Sequence, residues 1–596
     1  MNKILLKKEV WLPIAILITV GSFIYAFNLS NKLFWDDDDW IINNNFVHTI
    51  SWDNIKFWLT HNTLAGVGLK SNYYRPFLFF TFASNYMVAG VKPLVYHLTS
   101  NFIHIANGIL VFLLLSRLTT PDVRRTSGVR TFDWLPAFLT ALIFTIHPLQ
   151  TEAITYISGR GDALVAMFML LGLLFFYKSE LKISAIGYRL LAIGSLVLAL
   201  LSRETAIIFP FLALALYISF ISQKRFIASV KDGLIKTWPY FAIVIVYGIL
   251  RLTVLNFLDT LNFYVEPNLY SENIHVRFFT FLPILWEYLK LLIVPVGLHM
   301  ERSSVVYTSL LQWPVWPVFL GLIGLLAWLR HLYKKQPTTF KVWFLGLALF
   351  FIPLGPVSGI TPINALIYEH WLYLPMVGFW LIISFYLVKL FDYFVQNKKV
   401  VGRWSLVVGL VAYLSFFGYQ AIKRNILWGD QAKFFEDILK YEPGSSRINN
   451  NLGNLYYNQN NKEQAEFYYK KAIESGDVFA QPYFNLGTML QSKGDVYGAI
   501  KLYEKAIEIN PGFYYPYQNL SVIYAQQGNL TKAAENVETL KLLLPTNSRV
   551  YYNSALVYLA LNNKEQALKD LQSGLKYTES DPDTGAFIKE LIEKLQ

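Results

Sequence analysis

For its first 421 residues the chain alternates long apolar stretches with short polar loops, a pattern that only a lipid bilayer accommodates. Crossing the hydrocarbon core takes about 20 apolar residues of helix. Eleven stretches qualify, at 10–29, 97–117, 132–150, 161–178, 186–202, 204–221, 237–254, 314–332, 341–357, 370–391 and 403–421. Two more, near 77–92 and 276–297, are ambiguous. A charged fraction of 15% and a mean hydropathy of +0.36 exclude a purely cytosolic enzyme. The first stretch follows Lys3, Lys7 and Lys8 without a small-residue cleavage site, and reads as a retained span. With no cysteine in the chain, disulfides, thiolate metal sites and cysteine nucleophiles are excluded.

Charge sets the orientation. Residues 1–421 carry 33 Lys and Arg against 20 Asp and Glu, whereas 422–596 carry 19 and 20. The basic surplus therefore sits in short loops between spans, which points to membrane orientation and not to nucleic acid. With the N-terminus inside, the inner loops hold Arg117, Arg124, Arg125 and Arg130, then Lys178, Lys182 and Arg189. Lys224, Arg225, Lys231 and Lys236 follow, then Arg330, Lys334, Lys335 and Lys341, and last Lys398, Lys399 and Arg403. Making either ambiguous stretch alone a span would turn the later clusters outward. Both are therefore expected to lie on, or dip into, the outer surface, and the hydrophilic tail is expected outside.

The tail repeats itself. Asn451-Leu452-Gly453, Asn485-Leu486-Gly487, Asn519-Leu520-Ser521 and Asn553-Ser554-Ala555 recur every 34 residues, as do Ala465, Ala499, Ala533 and Ala567. Pro443, Pro511 and Pro545 keep the same grid, with Asp477 in the remaining slot. This is the tetratricopeptide period, in which small residues let paired helices approach and Pro ends the second. The expected organisation is all-α. A polytopic helical bundle over 1–421 is followed by a connecting half-repeat helix in 422–445, four repeats over 446–581 forming an α-solenoid, and a capping helix over 582–596. Such a solenoid offers a surface to peptides or other chains, or serves only as a spacer.

Charged residues cluster where the membrane half should have few. The first outer loop begins Trp35-Asp36-Asp37-Asp38-Asp39-Trp40. Adjacent carboxylates beside a low-dielectric interface need compensation. They can deprotonate a hydroxyl, seat a divalent cation (Mg or Mn), or form a solvated loop. His97, Asn101 and His104 share one helical face, as a metal-binding pair or a packed polar seam. Tyr74-Arg75-Pro76, His147-Pro148 with Glu152, Arg160 with Asp162, Arg203 with Glu204, Arg302 and Glu369-His370 all fall on the same outer edge. Arginines at that depth suit the phosphate of a lipid carrier, because the guanidinium fork matches phosphate oxygens. No Gly-rich phosphate loop occurs in a matching context, which disfavours a nucleotide-using reaction.

Taken together these motifs and the repeats resemble the transmembrane and tetratricopeptide-repeat (TMTC-type) O-mannosyltransferases, polytopic glycosyltransferases of the GT-C fold. The resemblance implies an inverting transfer of a sugar, mannose in the first place, from a polyprenyl-phosphate donor to a protein Ser or Thr hydroxyl on the exoplasmic side. The repeats would bind the acceptor or a partner. It also implies that Asp36 or Asp37 is the general base and that Arg203 holds the donor phosphate, with Arg160, Arg302 and Arg75 as further candidates. His147, Glu152, Asp162, Glu204 and Glu369 would support them. The run has four Asp where the family has two, so Asp38 and Asp39 remain candidates for the base. The membrane would be the cell membrane of a prokaryote or the endoplasmic reticulum of a eukaryote. Two other readings fit parts of the chain: a non-catalytic membrane scaffold whose repeats recruit proteins, and a transporter of lipid-linked sugar.

Overall fold

The computed structural model describes residues 8–118, 134–181, 185–258, 267–363, 365–476, 479–578 and 581–595. Lys3, Lys7, Arg124, Arg125, Arg130, Lys182 and Asp477 lie outside them. The described residues contain helices and no strand, and fall into two compact units, Met1–Phe434 and Phe435–Gln596.

The first unit opens with helices α1 (Lys8–Tyr25), α2 (Pro76–Ala89), α3 (Pro93–Leu118), α4 (Leu135–Ile146), α5 (Thr151–Thr155), α6 (Arg160–Leu181) and α7 (Ala185–Ser202). It continues with α8 (Phe209–Leu216), α9 (Phe226–Leu252), α10 (Ile274–Ile293), α11 (Val315–Lys335), α12 (Pro337–Leu354), α13 (Pro375–Gln396) and α14 (Val400–Leu427). Among the described residues ten helical segments are long and apolar enough to cross a membrane, and α4 with the segment Pro148–Thr155, bent by 52° at a short break, passes the same test when the two are taken together. The bend falls at His147-Pro148. Proline has no N–H for the helical ladder and pushes the residue before it out of the helical region, and His147 accordingly sits at ψ 128.

The two ambiguous stretches form α2 and α10; both ends of α2 meet the ends of neighbouring helices at one rim of the bundle, whereas α10 runs from Arg277 at that rim to Ile293, whose carbonyl accepts from Tyr413 midway along α14. Arg75, at the start of α2, pairs with Glu204, and Asn85 near its end accepts from Arg160. Arg277 in the first turn of α10 donates to Gly359 O at 2.6 Å, while Leu292 O near its end meets His147 Nε2 at 3.0 Å. Neither helix is among the described segments long and apolar enough to cross a membrane. The ends of α1, α5, α7, α9, α12 and α14, and the starts of α3, α6, α11 and α13, gather at this rim. Arg117, Lys178, Arg330 and Arg403 lie toward the opposite ends of α3, α6, α11 and α14.

Small residues set the closest approach. A Cβ on Gly378 of α13 would come within 2.1 Å of Gly346 O in α12, and one on Gly346 within 2.6 Å of Ile382. Bare backbone lets these helices pack without a water-driven hydrophobic term, as membrane helices must.

The second unit is the repeat stack. Its first helices are Ser446–Asn458, Ala480–Ser492, Tyr514–Gln526 and Ser548–Ala560; its second helices are Lys462–Glu474, Val496–Ile509, Leu530–Leu543 and Lys564–Leu575. At the turn between them Asn460, Gly494, Gly528 and Asn562 take positive φ, again 34 residues apart. The next residue, Asn461, Asp495, Asn529 or Asn563, caps the second helix by accepting a backbone N–H three residues on. Gly453 and Gly487 lie under the rings of Tyr469 and Tyr503, where a Cβ would come within 2.5 and 2.9 Å. Helix Pro582–Leu595 covers the end through Ile588, which packs with Ala567 and Leu571.

Replacing Gly378 by Ala should push α12 and α13 apart and cost about 1–3 kcal/mol, the usual toll of overpacking. A lowered melting temperature of the purified protein in detergent, set against an unchanged one for Gly324→Ala, where a Cβ meets open space, checks this.

Candidate active site

The acidic run turns immediately after Trp35, whose φ of 63 is a left-handed conformation rare for a bulky residue. Its ring is packed near Tyr156 and Phe434, at 6.5 and 6.3 Å between centroids. That reversal separates the first two carboxylates. Asp37 points inward and is 1% exposed, whereas Asp36 is exposed. Asp37 accepts from Ser158 Oγ at 2.5 Å, Ser158 N at 2.9 Å and Phe34 N at 3.3 Å. Those donors favour the carboxylate, but burial outweighs them and pushes the carboxyl up to about 7. Asp37 thus ties the acidic turn to the start of α6. Burial also raises the Asp38 carboxyl, with Asp39 adding repulsion. Among the described residues no three His, Asp or Glu side chains converge as a metal seat.

In the first turn of α6, four residues on from Ser158, Asp162 pairs with Arg203 just past the end of α7. Arg203 NH2 also lies 3.4 Å from His370 Nε2, while His370 Nδ1 and backbone N meet the Glu152 carboxylate at 2.7 and 3.0 Å. Nδ1 is thereby placed to donate to Glu152. Burial lowers the Arg203 pKa, and Arg75 nearby lowers it further against the pull of Asp162. Arg75 is sandwiched between aromatic rings, 4.5 Å from the Tyr73 centroid and 5.5 Å from that of Trp40. Its Nε is 3.6 Å from Glu204, which also accepts from Tyr74 N at 2.7 Å. The rim therefore holds two neighbouring guanidiniums, each matched by a carboxylate. Asp162, Thr205, His370 and Tyr373 line a small cleft there.

Glu369 is buried behind it. Arg302 and Arg424 each donate to it at 2.9 Å, and His299 N at 2.6 Å. Burial raises its carboxyl, and the two arginines oppose that. The expected span at 370–391 instead begins at Pro375, because Glu369–Leu372 forms a separate short turn around this ion pair.

Two expected site residues serve the scaffold. Arg160 is fully buried and donates to Ser100, Thr81, Asn85 and the Tyr96 carbonyl, over the Phe82 ring. Its fork is filled by protein acceptors. His147 joins the break in the bent span to Leu292 O and packs edge-on against Phe417. The His97, Asn101 and His104 face is a packed seam with separate partners: Asn31 O, Asn28, and Tyr373 with Thr145 O. Sequence reasoning missed Ser158, which stands two residues before Arg160, and Arg424, which lies just past the last apolar stretch and reads as the first charge of the tail.

Away from these polar groups, α10, α11, α12 and α13 enclose an apolar groove of about 550 Å³, lined among others by Trp286, Trp313, Trp343, Phe350 and Phe379.

Sequence similarity to known proteins extends over most of the chain. Tetratricopeptide repeat profiles match residues 446–475, 480–513, 502–535 and 548–581. Over most of the chain the similarity is to protein O-mannosyl-transferases, which agrees with the resemblance read from the motifs. The human protein O-mannosyl-transferase TMTC1 is 23% identical across 81% of this chain and 57% of its own length. TMTC3 of Mus musculus is 24% identical across 70% of this chain and 45% of its own length. F38B6.6 of Caenorhabditis elegans, another protein O-mannosyl-transferase, is 24% identical across 78% of this chain and 63% of its own length. The chain thus spans about half to under two thirds of the length of these curated relatives.

Asp37 yields a pH prediction. Its folded pKa lies about three units above the unfolded value of 3.8, so its stabilising contribution is full below pH 4 and lost as pH rises to about 7. The loss amounts to about 4 kcal/mol. Asp37→Asn removes the titration. Melting curves from pH 4 to 8 should show the parent losing stability relative to Asp37→Asn up to pH 7, with a constant difference above it.

Proposed function

We propose that this chain is a membrane glycosyltransferase that moves a sugar, mannose as in its relatives' names, from a polyprenyl-phosphate carrier to a protein Ser or Thr hydroxyl, on the exoplasmic side and with inversion. The observation that carries the reading is the rim itself. An exposed carboxylate, Asp36, is held in place by its buried neighbour Asp37 on the same rim as the guanidinium pair Arg75 and Arg203. Asp37 is buried with both oxygens engaged by Ser158 and Phe34, whereas Asp36 is exposed to an incoming acceptor beside Tyr156, so Asp36 is the better-placed base and Asp37 its anchor.

In the proposed reaction the acceptor oxygen attacks the anomeric carbon while Asp36 takes its proton. The bond from that carbon to the carrier phosphate breaks on the opposite face, and the phosphate leaves with the electron pair. Arg203 exchanges Asp162 for phosphate oxygens, with Arg75 adding charge. Arg302 stays with Glu369. The apolar groove beside α10 suits an isoprenoid chain, and the repeats bind the acceptor.

A transfer assay on the reconstituted protein, with labelled polyprenyl-phosphate mannose and a Ser/Thr peptide, tests this. Asp36→Asn should lower turnover about 10²–10⁴-fold while donor binding persists. Arg203→Ala should weaken donor binding, and Arg203→Lys should keep part of it because charge survives without the fork. Transfer at the parent rate by Asp36→Asn, Asp37→Asn and their double variant would refute the assignment and leave the scaffold reading ahead. In sealed vesicles of known sidedness, an external protease should reach 446–581 from the exoplasmic face.

A further inference from the structure

His370 sits in the short turn Glu369–Leu372, where its neighbours fix the ring. Nδ1 and the backbone N meet the two oxygens of Glu152 at 2.7 and 3.0 Å. The ring stacks on Tyr368 with centroids 5.0 Å apart, and Trp371 stands edge-on at 6.0 Å. Glu152 is only 1% exposed, so a buried carboxylate is committed to aiming an imidazole. A carboxylate at Nδ1 also favours a second proton on Nε2.

The other nitrogen is turned to Arg203. Nε2 lies 3.4 Å from Arg203 NH2, long for a bond between two nitrogens. Charge-assisted N–H···O bonds measure about 2.8 Å, so one phosphate oxygen can sit between them and accept from both. Asp162, Thr205 and Tyr373 are the other polar side chains lining the cleft. The Asp162 carboxylate is held by Arg203, and the Tyr373 hydroxyl is engaged by His104 and Asn107 at 2.8 and 3.0 Å. A threonine hydroxyl is too weak an acid to give up a proton, which leaves the imidazole.

The leaving group has a use for that proton. While it joins sugar to polyprenol the phosphate is a diester with one charge. Once the sugar has gone it is a monoester whose second ionisation lies at about pH 6, close to where an imidazole titrates. As a dianion it would set a second negative charge beside Asp162 just as Asp162 loses Arg203.

We propose that His370 is the general acid of the transfer, protonated as the donor docks and giving its Nε2 proton to the leaving phosphate, with Glu152 as the positioning residue behind it. This rests on the transferase reading. The acceptor proton goes to Asp36, the electron pair of the anomeric C–O bond goes to the phosphate, and the Nε2 proton joins a phosphate oxygen. His370 ends neutral and is reprotonated from water when the next donor docks. The charged groups that face it are Glu152 from α5 and Arg203 after α7, the latter paired with Asp162 from α6. Glu369 on its own turn is directed to Arg302 and Arg424, and Tyr288 of α10 meets the Tyr368 N–H at 3.4 Å. In the empty site Arg203 opposes a cation at Nε2; a bound phosphate removes that opposition.

The test uses the full chain in nanodiscs, polyprenyl-phosphate mannose and a Ser/Thr peptide with blocked ends. Docking of the donor alone, followed with a pH indicator in weak buffer across about pH 6 to 9, should take up to one proton per site in the parent. His370→Gln, whose amide still donates to phosphate but has no proton to transfer, should take up little or none. Parent turnover should fall about tenfold per pH unit on the alkaline side. His370→Gln should run about 10²-fold slower at the optimum and lose that alkaline fall. His370→Asn, which keeps a donor toward Glu152 and lacks Nε2, should do the same and guards against misfolding of the first variant. Glu152→Gln should move the alkaline fall to lower pH, whereas loss of a merely structural prop would lower the rate alike at every pH. Parent-like proton uptake in His370→Gln, or parent-like turnover or an unchanged alkaline limb in both His370 variants, would overturn the proposal. Proton uptake on docking without transfer by the parent would count against the transferase reading alone. Transfer by the parent without proton uptake would remove only the acid.

Discussion

The membrane unit depends on a single constraint: a charge taken into a low-dielectric rim has to arrive with its partner. Glu369 illustrates the consequence. Its carboxylate is reached by Arg302, from the segment after α10, by Arg424, from the end of α14, and by the His299 backbone. Three stretches of chain far apart in sequence must come together for that carboxylate to be buried at all. Asp162 with Arg203, and Glu204 with Arg75, repeat the arrangement nearer the cleft. Removing one member of such a set leaves an uncompensated charge, so the rim resists piecemeal change and holds its geometry. The amides do likewise without charge: Asn28 and Asn101 bond reciprocally, and Thr155 and Asn425 extend the network to the end of α14.

Features that repeat or persist were the ones legible in the sequence. Eleven apolar stretches and a 34-residue period are statistical properties of many residues, and they survive local uncertainty. The expectation that α2 and α10 lie on, or dip into, the outer surface came from charge parity, and neither is among the described helices long and apolar enough to cross a membrane. Single-residue geometry was less legible. Nothing in four consecutive Asp says which turns inward; that depends on the left-handed Trp35 and on the hydroxyl of Ser158, more than a hundred residues later. Arg160 looked like a ligand for phosphate because an arginine near a membrane face needs acceptors. Ser100, Thr81 and Asn85 supply them, and uncharged acceptors leave no pattern that marks them as its partners.

The repeat turns show the same limit from the other side. Asn460, Gly494, Gly528 and Asn562 differ in identity yet share positive φ, because Asn and Gly are the residues that tolerate that region. A search for identical letters sees only a partial match, whereas a search for conformational tolerance sees all four. The caps one residue on, Asn or Asp in each case, carry the same lesson. The repeat persists along the chain as a set of physical roles and only loosely as a set of residues.

Arg203 ties the resting rim to the proposed chemistry. It is neutralised by Asp162 and touched by His370, which Glu152 orients. A guanidinium held bare in such a place would carry a large desolvation cost; one held by a carboxylate is stable but occupied. The carrier phosphate gains negative charge as the sugar leaves it, and it offers oxygens spaced for the fork. In the proposed reaction the exchange of partners would favour phosphate most strongly as the bond breaks, while leaving Asp162 without its own cation. Arg75, close enough to lower the Arg203 pKa, and the imidazole of His370 are the groups placed to absorb that change. On this view the acid beside each arginine keeps the empty site foldable, and the strength of donor binding is set by how readily that acid gives way.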